Sequence, residues 1–168
     1  TAVYTALATD VDAGTTLTYS LSGTDAALFN IDSTTGAVTF KASPNYESPA
    51  DAGGNNVYDI SVSASDGTLT TTQAVAITVT NVNEAPAFTS GATATVSENV
   101  STSTAVYTAV ATDVDAGTTL TYSLSGADAA LFNIDSTTGV VTFKASPNYE
   151  SPTDVGGNNV YDISVSAS

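Results

Sequence analysis

Apolar and polar residues alternate along several short stretches of this chain. The clearest are YDISVSAS at residues 58–65, AVAITVT at residues 74–80 and LTYSLSG at residues 17–23. Because successive side chains of a strand point to opposite faces, this period of two predicts half-buried antiparallel β-strands. The inward-facing positions of the first stretch are Tyr58, Ile60, Val62 and Ala64.

Turn-forming residues separate these stretches. LFNIDSTTGAVTF at residues 28–40 predicts two short strands around an Asp-Ser-Thr-Thr-Gly turn, in which Asp32 is a turn residue. No stretch of ten or more residues shows a convincing helical period. Short strands divided by turns predict an all-β sandwich. The aromatic residues expected in its core are Tyr19, Phe29, Phe40 and Tyr58.

The chain repeats itself. Residues 1–65 return as residues 104–168 with five mild differences, whereas residues 66–103 occur once. A period of about 100 residues suits a sandwich domain better than a solenoid. The first body then has its last strand but no first strand, and the second body the reverse. We interpret the chain as a window of a longer array, cut out of phase, with domains at residues 1–80 and 87–168 joined by a linker at 81–86.

The charge balance narrows the classes of partner. Seventeen acidic residues and two lysines give a net charge of −15. This argues against nucleic acid, which needs a basic stripe, and equally against anionic membrane surfaces. The absence of Cys and His removes thiolate catalysis and the usual general base, so no enzyme is expected. No apolar run approaches 18 residues in length, so the sequence predicts no membrane-spanning helix.

One acidic motif occurs twice. ATDVDAG stands at residues 8–14 and again at residues 111–117. Residues i and i+2 of an extended chain share a face, so the two aspartates of each motif project together. Calcium takes six to eight oxygen ligands and would relieve their repulsion. The alternative is a solvated acidic turn.

Further motifs accompany this pair. They are SEN at residues 97–99, NYESP at 45–49 and 148–152, SASDG at 63–67, NVNEAPAF at 81–88, and the F-x-I-D-x-x-T-G-x-V hairpin. In this order they resemble the cadherin repeat in its bacterial cadherin-like form, over essentially the whole chain. The resemblance implies tandem immunoglobulin-like Greek-key β-sandwiches, each here lacking one terminal strand, that bind Ca²⁺ where successive domains meet.

The resemblance also implies which residues supply ligands. At the internal junction these are Glu47, Asn81, Asn83, Glu84, Asp113 and Asp115. Asp10, Asp12 and Asp66 would serve an upstream junction, and Glu98 and Glu150 a downstream one. Simple alternatives are open: turn formation for the asparagines and Asp66, an exposed loop for Glu47 and Glu150, and a flexible linker for Glu84. The linker is one residue shorter than the family pattern. Asp25, Asp51, Asp128 and Asp154 are expected on exposed loops.

A structural and adhesive role follows from the resemblance. We expect a calcium-stiffened segment of a bacterial extracellular or cell-surface protein, with calcium ions and neighbouring identical repeats as its partners. The alternative is a module that recognises polysaccharide or a homophilic partner, possibly appended to a secreted enzyme. Near-identical loops in the two copies favour the spacer.

Overall fold

Antiparallel β-strands make up the regular structure of this protein. The computed structural model describes all 168 residues and contains thirteen strands, no α-helix, and two single-turn 3₁₀ helices at Ala26–Leu28 and Ala129–Leu131. The all-β prediction is therefore confirmed. The chain divides into two compact units, Thr1–Val82 (unit 1) and Asn83–Ser168 (unit 2). None of its helices has the length and apolarity that crossing a bilayer requires.

Unit 1 has six strands in two three-stranded sheets. The sheets have the orders β1-β4-β3 and β2-β5-β6, and all pairs are antiparallel. The strands are β1 (Tyr4–Thr5), β2 (Thr18–Ser22), β3 (Phe29–Ile31), β4 (Ala37–Phe40), β5 (Val57–Ser65) and β6 (Thr70–Thr78).

The core of unit 1 lies between its two sheets. Phe29 and Val38 from one sheet pack with Tyr58, Ile60 and Val62 from the other. The Phe29 ring meets the Tyr58 ring edge-on, with centroids 5.9 Å apart. The predicted inward face of β5 is confirmed, because its alternate residues are buried and those between them are not.

Unit 2 repeats this arrangement with seven short strands. They are β7 (Ala87–Phe88), β8 (Tyr107–Thr108), β9 (Ala111–Thr112), β10 (Tyr122–Ser125), β11 (Phe132–Ile134), β12 (Val140–Phe143) and β13 (Ser164–Ala167). The sheet orders are β8-β12-β11, β10-β13 and β7-β9. Unit 1 has no counterpart of β7 or β9, and unit 2 has no counterpart of β6.

The same sequence forms strands of different length in the two units. VYDISVSAS is a nine-residue strand at residues 57–65, where β5 pairs with β2 and β6. At residues 160–168 only Ser164–Ala167 are strand, paired with β10 alone. The alternation predicts the face of both copies correctly, but strand length follows the number of hydrogen-bonding neighbours.

The predicted Asp-Ser-Thr-Thr-Gly turn is confirmed. Asp32 Oδ1 accepts the backbone N–H groups of Thr34 and Thr35 at 2.9 and 2.8 Å. These bonds, that of Thr35 foremost, hold the pKa of the Asp32 carboxyl below its usual value. Gly36 closes the turn with φ +70°, and a Cβ there would lie 2.5 Å from the Ala6 carbonyl oxygen. Only glycine fits this position.

Four aspartates expected on exposed loops are buried, so that prediction is wrong. Asp25 is 4% exposed; its Oδ1 accepts the N–H of Ala52 at 2.8 Å and its Oδ2 accepts that of Asp59 at 2.7 Å. Asp128 makes the equivalent bonds in unit 2. A buried carboxylate needs such donors, and here it ties the loop at residues 50–56 to β5.

Asp51 and Asp154 are also buried and accept backbone N–H groups. Asp51 Oδ2 and Oδ1 accept the N–H groups of Asn55 and Asn56, both at 3.0 Å. The Asn55 bond is the largest cause that lowers the pKa of Asp51, while burial opposes it. Asp154 repeats the pattern, so both loops of GGNN sequence are folded around a carboxylate.

Candidate calcium site

Both ATDVDAG motifs form the same tight loop. The backbone N–H of Asp12 donates to Oδ1 of Asp10 at 2.8 Å, and that of Asp115 donates to Oδ1 of Asp113 at 2.8 Å. The first aspartate of each pair therefore fixes the backbone of the second. One carboxylate oxygen of the first aspartate is therefore used within the loop.

In unit 2 a second segment lies on this loop. Ala87 and Phe88 of β7 pair with Thr112 and Ala111 of β9, immediately before the two aspartates. This pairing brings the preceding residues of the linker to Asp115, and the N–H of Glu84 donates to its Oδ2 at 3.0 Å.

Asn83 fixes the same segment from within. Its Nδ2 donates to the Glu84 carbonyl at 3.0 Å. Unit 2 contains four of the ligands predicted for the internal junction. Three of them, Glu84, Asp113 and Asp115, are joined through hydrogen bonds, and Asn83 bonds to the Glu84 carbonyl.

The covering segment changes the exposure of the aspartates. Asp113 and Asp115 are half-buried, whereas Asp10 and Asp12, in the same local sequence, are exposed. The chain therefore contains one ATDVDAG loop with a linker folded on it and one without, and each loop is a control for the other.

Negative charge is concentrated at the covered loop. Carboxylate oxygens of Glu84 and Asp115 lie within 4.8 Å of each other. Two like charges about 4 Å apart repel by about 1 kcal/mol in water and about 4 kcal/mol at an effective dielectric constant near 20. A hard divalent cation with several oxygen ligands converts this repulsion into attraction. The grouped donor atoms are carboxylate oxygens, which suit a hard cation such as Ca²⁺ better than a softer metal.

Two other predicted ligands lie in unit 1. Glu47 is exposed, and its N–H donates to Oδ1 of Asn45 at 3.0 Å within the NYESP loop. Asn81 is exposed in the segment that follows β6. The prediction that they share an ion with the unit 2 residues stays a prediction.

Asp66, of the upstream set, lies in the β5–β6 hairpin turn. Its Oδ1 accepts the N–H groups of Thr68 and Leu69, both at 2.6 Å. These bonds, that of Leu69 foremost, lower the pKa of the carboxyl. A turn role is therefore present, and a ligand role stays a prediction.

The structure brings the downstream pair close together. Glu98 Oε2 accepts the N–H of Tyr149 at 3.1 Å, and Tyr149 directly precedes Glu150. The N–H of Glu150 donates to Asn148 Oδ1 at 3.0 Å, in the same loop geometry as Glu47. Two glutamates distant in sequence therefore lie at one end of unit 2.

The four buried aspartates belong to a network that the sequence reasoning missed. A weak signal exists: three of the five differences between the copies flank them, at 24/127, 50/153 and 52/155, while the aspartates do not change. Both carboxylate oxygens of each residue accept a backbone N–H, and these bonds hold the loops beside Glu47 and Glu150 in shape.

Comparison with known proteins supports the fold. The chain is similar to the EC1-2 structure of human protocadherin-24, with TM-score 0.66 and 23% identity over 98% of this chain and 82% of that one. It is similar to mouse cadherin-23 EC22-24, with TM-score 0.59 and 27% identity over 99% of this chain and 52% of that one. Drosophila N-cadherin EC1-4 gives TM-score 0.60 and 28% identity over 92% and 37%.

These similarities show tandem domains of the cadherin fold. No protein-family model and no curated protein matched the sequence. The chain spans about half of the cadherin-23 structure and less of N-cadherin. The predicted fold class is thus confirmed.

Proposed function

We propose that this protein is a calcium-stiffened structural and adhesive repeat segment of a bacterial extracellular or cell-surface protein. One observation carries the proposal: in unit 2 the linker residue Glu84 is hydrogen-bonded to Asp115 of the ATDVDAG loop. When the linker docks on the acidic loop, several carboxylates come close together. Their mutual repulsion is unfavourable unless a cation is bound between them.

Each residue has a distinct role in this proposal. Asp115 and Glu84 supply carboxylate oxygens, and Asp113 supplies its second oxygen while its first fixes the loop. Glu47 and Asn81 add oxygen ligands from the preceding repeat. Asp10, Asp12 and Asp66, and Glu98 with Glu150, are the corresponding half-sites at the two ends.

Calcium would act here as a structural ion. Extracellular calcium modules bind at about 10⁻⁴–10⁻³ M, which suits permanent occupancy outside the cell. An ion held by a linker and the repeats beside it restricts motion between them. The loops of the two copies are nearly identical in sequence, which favours a spacer over a recognition module. The likeness to cadherin structures supports repeats that work in tandem.

The test uses the two copies of the motif against each other. Asp115→Asn removes one charge but keeps an oxygen for the Glu84 N–H, and Asp12→Asn makes the same change in the uncovered loop. Thermal melting and calorimetric titration are run on the full chain with millimolar Ca²⁺ and with chelator. At about tenfold above Kd, which millimolar Ca²⁺ reaches for a Kd of about 10⁻⁴ M, one site adds about 1.4 kcal/mol to the folded state, or about 5–10 °C in Tm.

We expect Asp115→Asn to lose most of the calcium-dependent gain and Asp12→Asn to retain it. Small-angle scattering tests stiffening separately, because bound calcium should narrow the distribution of dimensions. Equal melting with Ca²⁺ and with chelator in the unsubstituted protein would contradict the proposal. Equal loss in the two variants would contradict the assignment of the site.

A further inference from the structure

Asn56 in unit 1 and Asn159 in unit 2 have a backbone conformation that glycine usually adopts. Their φ angles are +63° and +62°, in the left-handed region where most side chains are strained. Each asparagine ends the GGNN stretch of a loop that folds around a buried aspartate, Asp51 or Asp154. Asparagine tolerates this region better than most residues, so its backbone alone does not show why it stands there in place of glycine.

The side chain of each asparagine makes a hydrogen bond that glycine could not make. Asn56 Nδ2 donates to the carbonyl oxygen of Tyr46 at 2.9 Å, and Asn159 Nδ2 donates to that of Tyr149 at 3.1 Å. In both units this tyrosine belongs to the NYESP loop and directly precedes its glutamate. The two bonds therefore join the loop of GGNN sequence to the loop that carries a predicted calcium ligand.

The Asn56 side chain also carries an unfavourable feature. Asn56 is 9% exposed, and its Oδ1 is buried without a hydrogen-bond partner. A buried acceptor that receives no donor destabilises the folded state, and glycine at this position would avoid that loss. Glycine would also keep the backbone bonds of Asn56. The bond from Nδ2 to Tyr46 is therefore the contribution that distinguishes asparagine from glycine here.

The backbone of Asn56 is itself held on two sides. Its N–H donates to Oδ1 of Asp51 at 3.0 Å, and its carbonyl accepts the N–H of Val79 at 2.9 Å. Asp51 is 6% exposed, so this anchor is shielded from water. A side chain that extends from a fixed backbone can in turn fix the carbonyl that it binds, which is that of Tyr46.

Glu47 lies in the segment between β4 and β5, which forms no strand. Its N–H donates to Oδ1 of Asn45, a bond that shapes the NYESP loop locally but does not attach it to another part of unit 1. The bond from Asn56 to Tyr46 supplies such an attachment, one residue before the glutamate. A ligand whose backbone is already held loses less conformational freedom when it binds an ion.

We propose that Asn56 is a positioning residue for Glu47 and that Asn159 has the same role for Glu150. Each asparagine fixes the backbone that carries a calcium ligand, and neither touches the ion. This role rests on the function proposed above, in which the two glutamates bind calcium. Removing a group that orients a metal ligand typically weakens metal affinity by about 10–100-fold.

The experiment compares two variants of the full chain. Asn56→Gly removes the bond to Tyr46 but suits the left-handed backbone, so the variant should fold. Gly54→Ala is the matched control in the same loop: Gly54 has φ +61°, and a Cβ there would meet nothing within 4 Å. This control strains the loop and leaves the bond to Tyr46 in place.

The first measurement is made without calcium. In NMR relaxation we expect the order parameters of the Tyr46 and Glu47 amides to fall from about 0.85 toward about 0.6 in Asn56→Gly. They should stay unchanged in Gly54→Ala. The second measurement is calorimetric titration with Ca²⁺, in which Kd should rise about tenfold or more in Asn56→Gly and stay unchanged in Gly54→Ala.

Three results would overturn the positioning role. The first is unchanged order at Glu47 in Asn56→Gly, which decides the matter whether or not calcium binds. The second is lost order with an unchanged Kd, because the position of Glu47 would then not matter for the ion. The third is an equal rise in Kd in Gly54→Ala, which would show that only the stability of the loop matters. Failure of the unsubstituted protein to bind Ca²⁺ would instead contradict the proposed function.

Discussion

The backbone N–H of Glu84 donates to Oδ2 of Asp115 at 3.0 Å, although 31 residues separate the two in sequence. The bond exists because β7 pairs with β9 and so carries the linker onto the acidic loop. In unit 1 the corresponding Asp12 is exposed in the same local turn. The covering segment, and not the motif alone, is what separates a candidate ion site from an acidic turn.

Asp113 has two roles that substitutions can separate. Asp113→Asn keeps an oxygen for the N–H of Asp115 but removes the charge, whereas Asp113→Ala removes both. Without calcium we expect the Asn variant to be as stable as the unsubstituted protein, and the Ala variant to lose about 1 kcal/mol. With calcium both should lose most of the gain in Tm. Melting curves with chelator and with Ca²⁺ decide this, and equal calcium-free stability of the two variants would exclude the turn role.

Asp25 should be among the most sensitive positions in unit 1. Its two oxygens accept the N–H groups of Ala52 and Asp59, so Asp25→Asn turns an amide NH₂ against one of these donors. We expect a loss of about 1–3 kcal/mol, seen as a fall of several degrees in Tm. Asp59→Asn changes an exposed side chain and should shift stability by less than about 0.5 kcal/mol. Similar urea midpoints for both variants would show that the buried carboxylate is not a structural group.

The ionised carboxylate of Asp32 should stabilise the turn, so its contribution should disappear at a pH low enough to protonate it. Its pKa is lowered by the N–H groups of Thr35 and Thr34, so the unfolded chain takes up its proton first as pH falls. The contribution is complete above the unfolded pKa of about 3.9 and is lost as pH falls through the folded value. Because a net charge of −15 gives the whole protein a mixed pH profile, the comparison is with Asp32→Asn, which keeps the turn acceptor. The difference in urea midpoint between the two should shrink below pH 4; a constant difference down to pH 2.5 would refute this.

Gly36 and Gly54 both have positive φ, but only one is crowded. A Cβ on Gly36 would lie 2.5 Å from the Ala6 carbonyl oxygen, and one on Gly54 would meet nothing within 4 Å. Gly54→Ala should cost about 1–2 kcal/mol for the left-handed backbone, and Gly36→Ala about 1–3 kcal/mol more for the clash. Chemical denaturation of the two variants measures the difference, and equal losses would mean that the turn relaxes away from β1.

Sequence patterns predicted those features whose causes are local. The buried face of β5 follows from its period of two, and the Asp32 turn follows from a side chain that binds amides two and three residues ahead. Pattern and structure agree there because the interacting groups are neighbours in the chain.

Features that depend on distant partners were not predictable in this way. The N–H donors to the Asp25 carboxylate lie 27 and 34 residues away, and no pattern in the residues next to Asp25 predicts them. The pairing of Glu84 with Asp115 spans 31 residues and was anticipated only through resemblance to a family. Strands β5 and β13 differ in length although the stretches that contain them, residues 57–65 and 160–168, are identical in sequence and differ only in their neighbours.

The letter-for-letter copy of β5 in residues 160–168 also makes the order of synthesis important. Strand β6 follows β5 after a four-residue connection, Asp66–Leu69, and a hairpin of this kind forms in about 1–10 μs. The second copy of the β5 sequence is completed 90 residues after β6 ends, which takes about 5–18 s at about 5–20 residues per second. On the ribosome β6 has paired with the nearer copy long before the other exists. Refolding from denaturant removes this order of events, because both copies of the β5 sequence are then present from the first moment. Only the shorter distance along the chain then favours pairing of β6 with the nearer copy.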